Sequence, residues 1–348
     1  MQVKVSAGVV SLLAAAMFSA HAQSATVTGY NGTQTFVTAV GKSSGEPNAC
    51  GVIGGSSYWF TYQPPTNGLV TFNTSGSTYD TVLGIYVDNG QNLGYSSLVS
   101  VNCDDDYGTN KISLVSWFGS SKTNYYIMLD GVKGATGTAY LNYSLDAAPT
   151  ISTITNVTIK EDTNTSALAF KISDRETTAT SLSLSGVSSN LTLLPATNIV
   201  FGGSGSNRTV TLYPTKYKSG TSQLSISVGD PAGNLTTTKF LLTVTFSNHP
   251  PVAVANTVTR LATKGITIAR AFPARNATDV DGQALTVSAV AATSKNGVGI
   301  TLNTTNIIYA ASSLTNQDWF TYTVSDGSLT ATGTNYVNVG TNGVSTVY

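Results

Sequence analysis

The residues able to do chemistry are few in this 348-residue chain, because only 10% of it is charged. The densest group is Asn102-Cys103-Asp104-Asp105-Asp106-Tyr107-Gly108, three successive carboxylates beside one of just two cysteines. Ca2+ takes about 6–8 oxygen ligands, so carboxylates in an irregular loop suit it. Asp80, in Tyr-Asp-Thr-Val-Leu, is a further donor to the same ion. Two other readings stay open. The aspartates can cap backbone N–H groups in a solvated turn. Alternatively, Asp80 and Asp104–Asp106 can face each other across the end of one sandwich as a glycosidase pair, which needs carboxyls roughly 5–10 Å apart with unequal pKa values. An exposed loop offers no pocket to raise one of them, which disfavours catalysis.

A second group is Asp279-Val280-Asp281-Gly282, where the glycine permits a tight bend that turns both carboxylates toward one cation. Asp326 in Val-Ser-Asp-Gly, or Asp318 in Asn-Gln-Asp-Trp-Phe, would complete a calcium site there; the alternative is an Asp-Gly turn in water. Glu161-Asp162 and the Asp174/Glu176 pair of Ser-Asp-Arg-Glu-Thr are candidates of the same kind. An ion between modules would stiffen a rod. A 12-residue EF-hand loop is absent.

Other chemistries find no residues. The histidines are His21 and His249, and His249 sits in a Pro-Pro linker, so neither a histidine triad nor an HExxH zinc site can be assembled. Gly-x-Ser-x-Gly does not occur. Val-Gly-Lys-Ser-Ser-Gly at 40–45 lacks the first glycine of a phosphate loop, since Phe36 stands there. Cys50 and Cys103 make a poor zinc site without histidines. In an exported chain they are expected to form one disulfide, stabilising by roughly 4 kcal/mol through chain entropy. Two buried free thiols are the alternative.

The elements that must position these groups are β-strands. Residues 1–22 read as a secretory signal peptide: Lys4, an apolar run from Val9 to Phe18, and Ala20-His21-Ala22 before the cut. No later stretch is long and apolar enough to span a bilayer, and the last residues carry no anchor motif. Lys+Arg and Asp+Glu balance at 17 each, so no net field attracts nucleic acid. The 33 glycines and the wealth of Thr, Ser, Val and Asn are a palette of short strands and turns. Proline-interrupted linkers at 145–150 and 247–253 predict three β-sandwich modules in tandem, at 25–146, 149–246 and 250–340, with a tail at 341–348.

Alternation assigns faces. Val70 and Phe72 share one, Leu83, Ile85 and Val87 another, and Val99, Val101 and Cys103 are expected to point into the core. Trp59 and Trp117 read as core residues rather than a sugar-stacking platform. Ser227-Val228-Gly229-Asp230 and Thr323-Val324-Ser325-Asp326 end corresponding hairpins, which relates the second and third modules. Sequons such as Asn73-Thr74-Ser75 follow from the composition and are not read as glycosylation sites.

Residues 56–145, through "GSTYDTVLGIY" and "YYIMLDG", resemble the bacterial pre-peptidase C-terminal (PPC) β-sandwich. That resemblance implies a jelly-roll-like, non-catalytic appendage of secreted proteins, some of which bind calcium or polymers; here no peptidase accompanies it. The second module, with "SDRET" and "GDPAGN", is similar to Ig-like repeats of bacterial surface proteins. The third, with "DVDG" and "VSDG", is similar to cadherin-like adhesin repeats. The expectation is therefore an all-β, non-enzymatic bacterial protein, secreted to the surface or matrix. It would bind an extracellular polysaccharide or protein polymer, with Ca2+ as its possible cofactor. The alternative is the binding component of a secreted hydrolase system.

Overall fold

The computed structural model describes residues 23–91, 93–107 and 111–340; the expected leader at 1–22, Gly108 and the 341–348 tail lie outside the described residues. Six sheets pair face to face into three sandwiches, each with its own core. The fold is all-β as expected, apart from 3-10 turns and, among the described residues, one short helix, α1 (Ala271–Asn276).

In the first module one sheet contains β1 (Gln23–Val27), β3 (Tyr58–Tyr62), β8 (Tyr125–Gly131), β5 (Thr81–Asp88) and β6 (Leu98–Asp104), in that spatial order. The other contains β2 (Asn31–Val37), β9 (Thr138–Ala147), β4 (Gly68–Asn73) and β7 (Leu114–Gly119). Strand β9 alternates intermediate and buried residues over nearly its full length, and Val70 and Phe72 of β4 are fully buried. This is the period-2 signature of strands covered on one face.

Strand β5 departs from it. Val82 through Tyr86 are all buried, because the loop before β3 folds over the outer face of that sheet. There Ala49, Trp59, Val82, Tyr86, Tyr126 and Met128 form a second core, with Val52, Tyr95 and Cys103 packed against it. Glu46 ties the flap down: Ser43 N, Ser57 Oγ, Trp59 Nε1 and Tyr95 Oη all donate to its carboxylate. Trp59 and Trp117 are core residues, 0% and 7% exposed.

One expected face is corrected. Val99 and Val101 are 50% and 40% exposed, because β6 is an edge strand and its pairing with β5 shifts register between Ile85 and Tyr86. A bulge at an edge breaks the alternation from which an inward face is inferred. Cys103 is half-buried and bonded to Cys50 across 53 residues, so the cystine fastens the flap to the edge strand.

The second module pairs the sheet β10 (Thr150–Ile151), β12 (Leu168–Ser173), β15 (Asn207–Leu212), β14 (Ile199–Ser204) with the sheet β11 (Val157–Lys160), β17 (Leu235–Thr245), β16 (Gly220–Gly229), β13 (Ser183–Ser188). The third pairs β18 (Asn256–Leu261), β24 (Thr330–Gly340), β23 (Asp318–Ser325), β20 (Thr286–Val290) with β19 (Ile266–Ala269), β22 (Asn306–Tyr309), β21 (Ile300–Leu302). In both, an early strand runs parallel to the module's last strand, β11 along β17 and β18 along β24. The corresponding hairpins are β16–β17 and β23–β24, turning at Asp230 and Asp326.

Asp318 does not join the Asp279–Asp281 loop as a possible calcium ligand. It begins β23 and is 1% exposed, accepting from Ser294 Oγ, Tyr309 Oη, Trp319 N and the backbone and side chain of Asn296. Burial alone would raise its pKa, but those donors more than offset it and hold the carboxyl below its ordinary value. A carboxyl depressed in the folded state adds stability above its unfolded pKa, near about 4, and that stability is lost as pH falls through the folded value. Asp318→Asn, which turns an amide N–H toward these donors, is expected to cost about 2–3 kcal/mol at pH 7. It should also flatten the acid limb of the third module's unfolding curve. Melting temperatures from pH 7 to pH 2.5 check both; an unchanged acid limb would refute the role given to Asp318.

Candidate cation sites and the distal tip

The first module has two structurally distinct ends. At one, Gly68 of β4 pairs with Ala147 of β9, and the chain passes into the second module. At the other, the flap, the 74–80 loop, the loop after β6 and the turn after β8 are laced by backbone hydrogen bonds. These include Val132 N to Asp80 O, Lys133 N to Ile53 O and Thr74 N to Ser113 O. This end is the distal tip.

At the tip the triple aspartate divides. Asp104 Oδ2 accepts the Leu114 amide at 2.8 Å and so caps the start of β7. Asp105 and Asp106 turn to Asp80, the three presenting oxygens within 4.8 Å of one another. Asp80 Oδ1 and Asp105 Oδ1 are buried without a hydrogen-bond partner among the described residues, and the one cation near Asp80 is the exposed Lys111 at 3.7 Å. Burial, then the charges of Asp106, Asp80 and Asp104, pushes the Asp105 carboxyl up. Converging, under-satisfied carboxylates favour a cation between them. Beside them, Val40 and Ile53, 78% and 72% exposed, line an open, largely apolar depression of about 540 Å3 together with Gly54, Gly55, Val132, Lys133 and Gly134.

The first junction gathers Asp146 from the end of β9 with Asp174 and Glu176 from the turn after β12, again within 4.8 Å. Asp174 Oδ1 accepts the amides of Glu176 and Thr177, while its Oδ2 is buried without a partner among the described residues. Glu176 Oε2 accepts the Ala147 amide across the junction. Burial raises the Asp146 pKa, and Asp230, Glu176 and Asp174 add to the rise. Asn234 donates both to Asp230 and to the Asp146 carbonyl, closing the hairpin turn onto the first module. Every side-chain donor available to an ion here is an oxygen. Asp146 was not named in the sequence reading, and Asp230 was named there as a hairpin residue and not as part of a site; their signal is the position of each relative to the linker proline and the hairpin turn.

The second junction is built differently. Asp279 Oδ1 caps the Asp281 amide, and its Oδ2 has no partner among the described residues. Asp326 Oδ1 caps Ser328 and Leu329, and its Oδ2 accepts Asn248 Nδ2. The Leu329 amide leads the donors that hold the Asp326 carboxyl low. Asp281 is engaged by His249, whose backbone N–H donates to Oδ2 at 2.6 Å and whose Nδ1 stands 3.1 Å from Oδ1. The other ring nitrogen meets Asp162 at 2.8 Å, and Asp162 also accepts the Tyr217 amide. The bond to Asp281 leads the interactions that raise the imidazole's pKa. Glu161, from the end of β11, joins His249 and Asp281 within 4.8 Å. Sequence reading named Glu161, Asp162 and Asp281 but left His249 as a linker residue.

Ig-like sandwiches strung in tandem, with polar clusters at their joints, define the class: such domains fit a non-catalytic surface or binding protein. More particularly, residues 248–338 match the family model of the bacterial Ig domain. A titin I-band fragment, I67–I69, is similar at 12% identity and a TM-score of 0.30, covering 79% of this chain and 94% of that one. The extracellular cadherin domains 1–5 of protocadherin gamma B2 are similar at 14% identity and 0.32, covering 63% and 45%. An endo-fucoidan hydrolase of glycoside hydrolase family 107 is similar at 13% and 0.26, covering 67% and 36%. These scores are too low for any of the three to speak for this chain's function. No curated protein sequence matches it significantly. Among the described residues, no helix is long and apolar enough to cross a membrane.

Proposed function

We propose that the chain is a non-catalytic bacterial surface or matrix rod, exported by its 1–22 leader, that presents the distal tip of its first module to an extracellular polysaccharide or protein polymer. The observation that carries this reading is the pairing, on that one tip, of a converging acidic cluster with exposed aliphatic residues lining an open depression. Isolated exposed apolar residues are ordinary, but a rimmed apolar depression marks contact surfaces. The PPC-like pattern of residues 56–145 supports the same reading. Ca2+ is assigned to the two all-oxygen clusters, Asp80/Asp105/Asp106 at the tip and Asp146/Asp174/Glu176 at the first junction.

The test is depletion of the folded protein from solution by cellulose, chitin and collagen, with Ca2+ or with EDTA. Binding to at least one polymer is expected, weakened at least tenfold by Ile53→Asp and by Asp105→Asn. No depletion on any polymer, or depletion indifferent to both substitutions, sinks the tip as contact surface. Separately, saturation with Ca2+ to about 100 times its Kd is expected to stabilise by about 2.7 kcal/mol per site. Asp105→Asn should remove that gain from the first module's transition and Asp174→Asn from the junction. Melting curves unmoved by Ca2+ would refute the metal assignment while leaving the tip reading to the depletion assay.

The alternative, an accessory subunit holding polymer for a secreted hydrolase, uses the same tip. It is favoured if the protein raises a hydrolase's rate on insoluble but not on soluble polymer.

A further inference from the structure

The two junctions differ in donor chemistry. The first offers oxygens alone, whereas the second sets an imidazole among the carboxylates. Ca2+ sites are built from oxygen, while a histidine nitrogen beside carboxylates suits Zn2+ and its first-row neighbours. We propose that the second junction is a site for a divalent transition-metal ion, with Zn2+ as reference, held by His249 Nδ1, Asp281 and Glu161.

The tautomer carries the first part of the argument. Nε2 lies 2.8 Å from Asp162 Oδ2, and a carboxylate there requires Nε2 to keep its proton and donate. The lone pair of the neutral ring is then on Nδ1, aimed at Asp281 Oδ1 at 3.1 Å. A lone pair facing a carboxylate at that separation needs a cation between the two, either a proton or a metal ion. Two donors on one tetrahedral zinc, each about 2.0–2.1 Å from it, stand roughly 3.3 Å apart. The observed pair therefore needs only a small adjustment. Asp162, with its second oxygen on the Tyr217 amide, takes the position of the outer carboxylate that orients a metal-bound histidine.

Glu161 decides between proton and metal. It is 5% exposed, and among the described residues its one hydrogen bond is from the Ser247 amide to Oε2. Among the described residues no Lys or Arg pairs with it, and no donor reaches Oε1. With Oε1 open, Glu161 can add a third ligand atom within 4.8 Å of the ring nitrogen and the Asp281 carboxylate, which a proton between those two would not use. An imidazolium would bring one positive charge to Glu161, Asp162 and Asp281, with Lys216 acting on Asp162 from outside. A dication comes closer to balancing the three carboxylates, and it would bond the second module through Glu161 to the third through Asp281.

The experiment is calorimetric titration of the metal-stripped whole chain with ZnCl2 in a fixed millimolar excess of CaCl2. One equivalent of Zn2+ is expected to bind despite the calcium, at least tenfold more weakly in His249→Asn and Glu161→Gln, and about tenfold more weakly in Asp162→Asn. Asp80→Asn and Asp174→Asn should leave it unchanged. Co2+ in the same site of the unmutated chain should give the visible bands of tetrahedral nitrogen–oxygen coordination, a readout independent of how any variant folds. Zinc binding that is absent, indifferent to His249→Asn, or displaced by equimolar Ca2+ would overturn the proposal, leaving an imidazolium or an oxygen-only site. Because the arms at Asp80 and Asp174 are scored separately, failure here is distinguishable from failure of the calcium assignment.

Discussion

Cys50→Ser/Cys103→Ser is expected to lower the stability of the first module by about 4 kcal/mol and to leave the other two unchanged. The magnitude follows from the 53-residue separation, because an unfolded chain closed over that loop has fewer conformations to lose on folding. The location follows from the packing. The cystine joins the flap to edge strand β6, and beneath the flap lies the second core around Trp59, Val82, Tyr86 and Met128. Freed from β6, the flap can lift and expose that core to water. Denaturant unfolding of the double variant should therefore show one early transition, with protease cutting first between residues 41 and 57. A single transition unshifted from the wild type, or one shifted for all three modules together, would contradict the separate cores described above.

Asp130→Ala is expected to cost about 3–5 kcal/mol in the same module. Asp130 is fully buried at the end of β8, and its Oδ1 accepts the amides of Gly55, Ser56 and Gly131 at 2.8–2.9 Å. Its Oδ2 takes the Lys42 ammonium at 3.2 Å. Truncation leaves three amides without their acceptor and strips a mostly buried ammonium of its carboxylate, with only the Pro47 carbonyl and Asn48 Oδ1 still accepting from it, the situation in which removing one partner is most damaging. Asp130→Asn keeps one acceptor oxygen but sets an amide N–H toward a neighbour, either Lys42 or the three backbone donors. Its cost should lie between those of wild type and Asp130→Ala. Gly54 is bound to the same arrangement, since a Cβ there would stand 1.7 Å from Asp130 Oδ2. These contacts shape the tip depression, so Asp130→Ala should also abolish polymer depletion at temperatures where the module is still folded. The disulfide and Asp130 restrain one flap, and their losses are expected to be less than additive. Equal stabilities of Asp130→Ala and wild type would remove the carboxylate from this account.

Much of the architecture was legible in the residues themselves. Strand β9 alternates because each of its faces meets a different medium, and Trp59 and Trp117 are buried because strands rich in aromatics need a covered face. Proline in the two linkers separates the modules, and the Asp-x-Glu and Asp-x-Asp spacings mark the turns that reach the junctions. These are local properties, set by a handful of neighbours along the chain.

What alternation does not carry is which strand becomes an edge, and so Val99 and Val101 lie open to solvent although their spacing is that of a buried face. Nor does it show that a loop will cover β5 on its outer side and bury Val82, Gly84 and Tyr86. The sites are decided at longer range still. Asp80 reaches Asp105 because β5 and β6 pair, Asp104 is withdrawn from them by the Leu114 amide, and Asp318 leaves the third module's acidic loop for a core full of donors. His249 becomes a ligand-like nitrogen only because two modules bring Asp162 and Asp281 to opposite sides of its ring. A side chain's type sets what it can bind, and that much is local; the atoms that surround it are fixed by contacts between residues far apart in the chain, and those exist only once the sandwiches have packed.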